Sequence, residues 1–441
     1  MEVKNKIKKI MKKPLSIMHA VQDNYFLEQQ LEMYRDESVA IAKELLDYKL
    51  KYKVLKGKKI NVVFICHRPA VWESLHSVYN ALIADDFFNV TILAIPNKKE
   101  LPDLGLNHET YESEGAEDFW KEYSCINGYN YEKKEWFDLK SLEPDYVFFQ
   151  QPYNIARPEI YKSWNVARYA KICYVPYAFD FIGNGVLEET TPKDFMKDVS
   201  FYFTQNSIDN QMVNEILRNY SIQNIKTIAT GFPRYDNLKQ YEKGTAISWN
   251  FAKENTYRVM WTPRWCTNEG NCNFFQYKDK LVNYVLENDD ISLLFRPHPQ
   301  AFLNWNRTGE LPEKEAIKYK EIYEKNQNMS IDTEKSYFDT IFHSDCLISD
   351  TSSFIADYFT TGKPIIYCHK VDTFNELSKK MSEGFYWVNN WGELKQVLDN
   401  LKNGKDELKE KRLQILKELF GTEQHSGESI KNILKKDAID C

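Results

Sequence analysis

The sequence predicts an α/β protein of two parallel-sheet domains behind a helical N-terminal extension. Three observations carry this. The chain has 441 residues, beyond the size at which a single hydrophobic core stops growing. Two series of short β-rich runs alternate with helical stretches, one on either side of a polar segment at 241–257. Several runs end in polar, phosphate-competent junctions, and the carboxyl edge of an open parallel sheet is where ligands bind.

The first thirteen residues hold six lysines interleaved with Val3, Ile7, Ile10 and Met11. Two readings are open, an amphipathic anchor for anionic lipid or a solvated terminus. A helix is expected over about 22–53, where Leu27, Leu31, Ile41, Leu45 and Leu50 contribute to an apolar stripe. It could pack on the body of the protein or mediate a homodimer. Strands follow at Ile60–Cys66, Val90–Ile95, Tyr146–Phe149, Ile172–Val175, Phe201–Phe203 and Ile225–Ala229, with a helix over about 72–84 after the first. The second series has strands at Val259–Trp261, Leu293–Phe295, Cys346–Ile348 and Ile365–Tyr367, then a charged helical tail at 393–436. The expected division is 1–58 for the extension, 59–240 for the first domain and 241–441 for the second.

Composition narrows the class. With 43% apolar and 15% aromatic residues the chain can build sizeable cores. A net charge of -6 provides no global basic field, so nucleic acid is not an expected partner. The eight cysteines are scattered, several within apolar runs, which suits a reducing cytoplasm. Cys266 and Cys272 have no matching Cys/His pair nearby, so no metal site is expected. No run approaches the length of a membrane span.

The chemistry gathers at strand ends. Arg296-Pro297-His298-Pro299 follows Leu293–Phe295, with two side chains of two-residue spacing pointing the same way and prolines stiffening them. Arg offers a fork for phosphate and His a hydrogen bond or a proton; a buried, satisfied pair is the other reading. Asp350-Thr351-Ser352-Ser353 follows Cys346–Ile348 and opens a helix that ends at Gly362. Its amides and hydroxyls suit a pyrophosphate, and equally an ordinary N-cap. Thr262-Pro263-Arg264-Trp265 and Gly231-Phe232-Pro233-Arg234-Tyr235-Asp236 repeat the arrangement at two further strand ends.

These four junctions in order, with Gly362-Lys363-Pro364-Ile365 and Gly384-Phe385-Tyr386, resemble the CDP-glycerol glycerophosphotransferase family of teichoic-acid and capsule synthesis. The resemblance runs from about Thr230 to Phe420. It implies two facing Rossmann-like domains of the type B glycosyltransferase architecture, and transfer of an alditol phosphate from a CDP-activated donor to a lipid-linked or saccharide acceptor. It also implies no tightly held metal or other cofactor. Arg296 and His298 would meet the donor pyrophosphate, and Ser352 and Ser353, beside Thr351, would cradle it. Thr262, Arg264 and Arg234 complete the expected phosphate-binding set, and Asp350 would order its turn. In the transition state, cationic His298, Arg264 and Arg296 would stabilise charge on the departing CMP.

One departure touches the acceptor side. The family's Trp-His-Gly-Thr-Pro-type motif is missing, and Pro176-Tyr177-Ala178-Phe179-Asp180 stands at the matching place. Asp180 and His67 are the two candidate bases. The same fold could instead transfer a sugar from a nucleotide-sugar, or serve as an idle scaffold. A cytoplasmic protein, peripheral at the inner face of the plasma membrane, is expected.

Overall fold

The computed structural model describes residues 2–440 except 101–108, 113–115, 179–190, 237, 243, 245–246, 269, 271, 334–336, 351, 353, 369–373 and 422–424. Helix α1, Glu2–Leu55, leads into a seven-stranded sheet. Its strands are β1 Ile60–Cys66, β2 Phe88–Ala94, β3 Cys125–Asn127, β4 Tyr146–Phe149, β5 Lys171–Tyr174, β6 Val199–Thr204 and β7 Lys226–Ala229. A second sheet has six strands, β8 Tyr257–Thr262, β9 Ile291–Phe295, β10 Met329–Ile331, β11 Cys346–Ser349, β12 Ile365–Cys368 and β13 Tyr386–Val388. Every paired neighbour in both is parallel.

The first sheet runs β7-β6-β5-β4-β1-β2-β3 and the second β10-β9-β8-β11-β12-β13. Both are doubly wound, so each reverses direction at one crevice, between β1 and β4 in one and between β8 and β11 in the other. The central strands are buried along their length because helices cover both faces. That is why Tyr146–Phe149 and Ile291–Phe295 read as unbroken apolar runs. In these two sheets the strands the sequence did not announce, β3, β10 and β13, have three residues each. They are too short to show a period.

Helix α1 starts far earlier than the expected 22 and docks by one face. Val39, Ala42, Leu46 and Leu50 are buried, and Lys53 forms a buried ion pair with Asp145 at 2.7 Å. Lys43 Nζ donates to the carbonyls of Lys197 and Val199. The opposite face leaves Leu27, Leu31, Tyr34, Ile41, Leu45, Tyr48, Tyr52 and Leu55 exposed. The side chains of the N-terminal lysines lie outside the described residues. Among the described residues no helix is long and apolar enough to cross a membrane.

The chain end departs from the expected division. After Glu73–Ile83 (α2) and the later elements, the last helix, Ser426–Asp440, packs on α2 rather than staying with the second sheet. Ile430, Leu434 and Ala438, spaced by four, are fully buried there; burying each of the two larger side chains is worth roughly 1.5–3 kcal/mol. Asp236 fixes the start of this helix, its carboxylate accepting from the backbone N–H groups of Ser426 and Gly427 at 2.9 and 2.8 Å. Near the other end Asp437 accepts from Lys171 at 2.6 Å and from the Tyr146 hydroxyl at 2.7 Å. The last aspartate of Gly-Phe-Pro-Arg-Tyr-Asp is therefore a helix cap.

Candidate functional site

A cleft of about 880 Å³ opens at the carboxyl edge of the second sheet, beside its reversal point. Strand ends build it: Thr262-Pro263 after β8, Arg296 to Pro299 after β9, Ser330 to Thr333 around the end of β10, and Ser352 after β11. Parallel register sets these junctions side by side, with Trp261 opposite both Phe295 and Ile348. Phe302, Lys320, Tyr323 and Tyr337 close the walls.

Arg296 is aimed by two neighbours. Its Nη1 pairs with Asp332 Oδ2 at 2.6 Å, and its guanidinium carbon lies 5.1 Å from the centre of the Tyr337 ring. One edge of the fork is thus committed to a buried carboxylate. His298 stacks on Trp265 with ring centres 5.3 Å apart, and its Nδ1 accepts from the Gln300 N–H at 3.2 Å. That bond assigns the neutral ring's proton to Nε2. Burial, then the Arg264 charge, lowers the His298 pKa. Without a ligand the ring is accordingly favoured as a neutral N–H donor.

The other expected phosphate contacts divide. Ser352 lines the cleft and its hydroxyl accepts from the Phe354 N–H at 3.2 Å, capping the short helix Phe354–Phe359. Thr351 and Ser353 lie outside the described residues. Thr262 lines the cleft, yet its hydroxyl donates to Ser349 Oγ at 2.9 Å and so ties β8 to β11. Arg264 brings its backbone N–H to Asp350, whose second oxygen accepts from Asn273 N–H at 2.8 Å. Burial pushes the Asp350 carboxyl up to about 7, against those two bonds and the Arg264 charge.

Arg234 sits behind the wall. Its guanidinium donates to the Tyr337 hydroxyl and pairs with Asp357 at 3.4 Å. Asp357 also accepts from Tyr337 and, at 2.8 Å, from Tyr235. Burial works against the Arg234 charge, but Asp357, Tyr337, Tyr235 and Glu73 together hold its pKa above the ordinary value. Its Nη2 is engaged by Tyr337 and Asp357, while Nε is buried without a hydrogen-bond partner among the described residues. Arg234 is not among the residues that line the cleft, and it contacts the cleft residue Tyr337 from behind.

On the first sheet His67 directly follows β1 at the reversal point. Its backbone N–H donates to Gln150 Oε1 at 2.7 Å, and Nε2 lies 3.1 Å from Gln151 Oε1. Gln151 Oε1 can only accept, so Nε2 carries the proton and Nδ1 keeps a lone pair. That Nδ1 is buried, with no hydrogen-bond partner among the described residues. Burial, then the nearby Arg157, depresses the His67 pKa to about 4. Arg157 is itself buried, donating to the Gln151 carbonyl at 2.7 Å. Asp180 lies outside the described residues. Lys320, Tyr337, Asp332, Gln151 and Arg157 escaped sequence reasoning; of these only the Gln150-Gln151 pair directly after an apolar run carried a local signal.

Residues 178–429 match the family described as CDP-glycerol:poly(glycerophosphate) glycerophosphotransferase, more than half of the chain. No curated protein matches the chain in sequence. Among solved structures the chain is similar to the wall teichoic acid polymerase TagF, at 17% identity and a TM-score of 0.51, over 86% of this chain and 89% of that one. A variant of the same polymerase soaked with CDPG gives 16% and 0.52, over 92% and 94%. A UDP-GlcNAc 2-epimerase from Neisseria meningitidis, bound to UDP-GlcNAc, gives 13% and 0.56, over 87% and 100%. At such identities these likenesses establish the fold, two facing doubly wound domains, and nothing more.

Proposed function

We propose, because the chain belongs to the CDP-glycerol:poly(glycerophosphate) glycerophosphotransferase family, that it transfers glycerol phosphate from CDP-glycerol to a hydroxyl of a teichoic-acid-type acceptor. The observation that carries the assignment to this cleft is Arg296, His298 and Ser352 brought onto one wall at the second sheet's reversal point. The acceptor oxygen attacks the phosphorus that bears glycerol. The bond from that phosphorus to the bridging oxygen breaks, CMP leaves with the electron pair, and the hydroxyl proton passes to a base.

Arg296 and the His298 Nε2–H meet the pyrophosphate, and Lys320 adds a cation at the cleft wall. Charge grows on the bridging oxygen as CMP departs, so donors fixed beforehand stabilise the transition state more than the ground state. A dianionic pyrophosphate beside His298 would itself raise that ring's pKa, so donor binding and protonation are linked. His67 is the acceptor-side base in this scheme: kept neutral, it holds a lone pair at Nδ1 throughout the neutral range. The fixed cations do the work of a divalent metal, so EDTA should leave turnover unchanged. The acceptor is lipid-linked or saccharide, and the protein works at the inner face of the plasma membrane.

The test is CMP release with CDP-glycerol, CDP-ribitol and UDP-sugars, alongside ligand-induced thermal stabilisation. A ligand at a hundred times its Kd stabilises by about 2.7 kcal/mol. Stabilisation and turnover with CDP-glycerol support the reading. Preference for a UDP-sugar, or stabilisation by none, overturns it.

A further inference from the structure

The exposed face of α1 has a period of its own. From Leu27 to Leu55 its apolar side chains stand alternately four and three residues apart, through Leu31, Tyr34, Ile41, Leu45 and onward, with Ser38 the one polar member. That is an unbroken heptad register over four heptads. A straight helix drifts about 20° per heptad against such a repeat, so a stripe serving a fixed globular surface follows 3.6 rather than 3.5 residues per turn. The face that does dock, through Val39, Ala42, Leu46 and Leu50, is a separate row. Strict 3.5 spacing is what a second helix wrapped around the first requires.

We propose that this stripe pairs with the same stripe of a second copy of this chain, forming a two-stranded coiled coil. The area suffices. The apolar stripe residues are 53% to 75% exposed. At roughly 200 Å² apiece, covering them removes about 2,000 Å² per pair, more than the ~1,600 Å² of a standard stable interface. The flanks carry both signs, Arg35, Glu37 and Glu44 toward one end and Lys51 toward the other, while Lys49 is held on the body of the protein by Asp145 at 3.2 Å. Mixed flanks suit a protein partner; an anionic lipid surface would be repelled by the glutamates. Ser38, whose hydroxyl donates to the Arg35 carbonyl and accepts from Arg168 Nε at 3.3 Å, is the polar seam position that restricts register.

The proposal stands apart from the transferase reading, and its failure leaves that reading untouched. The experiment is sedimentation velocity of the full chain from nanomolar to tens of micromolar, beside the double variant Ile41→Glu/Leu45→Glu. Both positions face solvent, so the variant folds, and unchanged circular dichroism checks this. The expected mass is twice 52.2 kDa, halved in the variant. A wild-type chain that stays at 52.2 kDa throughout overturns the pairing. So does a variant that keeps the doubled mass. A monomer whose sedimentation with phosphatidylglycerol vesicles is lost in the variant would reassign the stripe to a lipid surface.

Discussion

The carboxyl edges of the two sheets share one strand order and hold opposite kinds of site. At the second sheet the junctions spread into a cleft of about 880 Å³ walled by Arg296, Lys320 and the donor face of His298. At the first, His67 is buried, uncharged and held by Gln150 and Gln151, with a lone pair that meets no partner among the described residues. Both histidines follow a strand at a reversal point or beside it, and both have lowered pKa values for the same leading reason, burial. Hydrogen bonding separates them. Nδ1 is occupied in His298 and vacant in His67, so one presents a proton and the other a lone pair. A doubly wound sheet supplies the place for a ligand; the partners of single atoms supply the chemistry.

If the edges divide the work this way, substitutions should separate turnover from donor binding. His67→Ala should lower kcat about 10²–10⁴-fold while CDP-glycerol still stabilises the protein against heat. Loss of that stabilisation would break the division. Arg296→Ala should lower kcat/KM about 10²–10³-fold and weaken CDP-glycerol stabilisation as well. Unchanged donor stabilisation would remove Arg296 from the site.

Smaller effects test what supports the second edge. Asp357→Asn leaves Arg234 charged and buried, and should cost about 3 kcal/mol of stability in urea unfolding. A loss confined to catalysis would instead make Arg234 a ligand. Asp350 gives a pH signature. Its folded pKa of about 7 lies above the ordinary 3.8, so the stability it contributes is fully present below about 4 and is lost as pH rises through 7. Asp350→Asn should flatten that decline in Tm between pH 4 and 7. Thr262→Val should cost about 1 kcal/mol, the worth of its bond to Ser349, with KM unchanged. A raised KM would restore Thr262 as a phosphate contact.

Much of the candidate site was legible because its signal is local. Arg296-Pro297-His298-Pro299 stands on one extended segment, and no tertiary knowledge is needed to see both side chains leave one strand end. Gly362 and Gly384, conspicuous in the sequence, proved structural. Gly362 has a φ of +69°, and the buried guanidinium of Arg412 donates to the carbonyls of Gly362 at 2.8 Å and Gly384 at 3.4 Å. Arg412 lies within a charged helix and gave no hint of being wholly buried. Asp332 and Tyr337 were illegible for a similar reason. Neither stands in a junction that looks like a site, and their value comes from reaching Arg296 and Arg234 across the fold.

The order of apolar runs, with polar junctions after them, determined by itself that this chain forms two doubly wound sheets, because alternation of strand and helix leaves few right-handed ways to pack. The family's motifs were likewise present in the residues alone. Tertiary structure decided which arginine stays at the cleft and which is spent on Asp357, which imidazole nitrogen is occupied, and which face of α1 the body leaves uncovered. Each of these depends on atoms brought together from distant positions, as Asp357 reaches Arg234 across 122 intervening residues, and burial then sets whether a charge or a lone pair survives there.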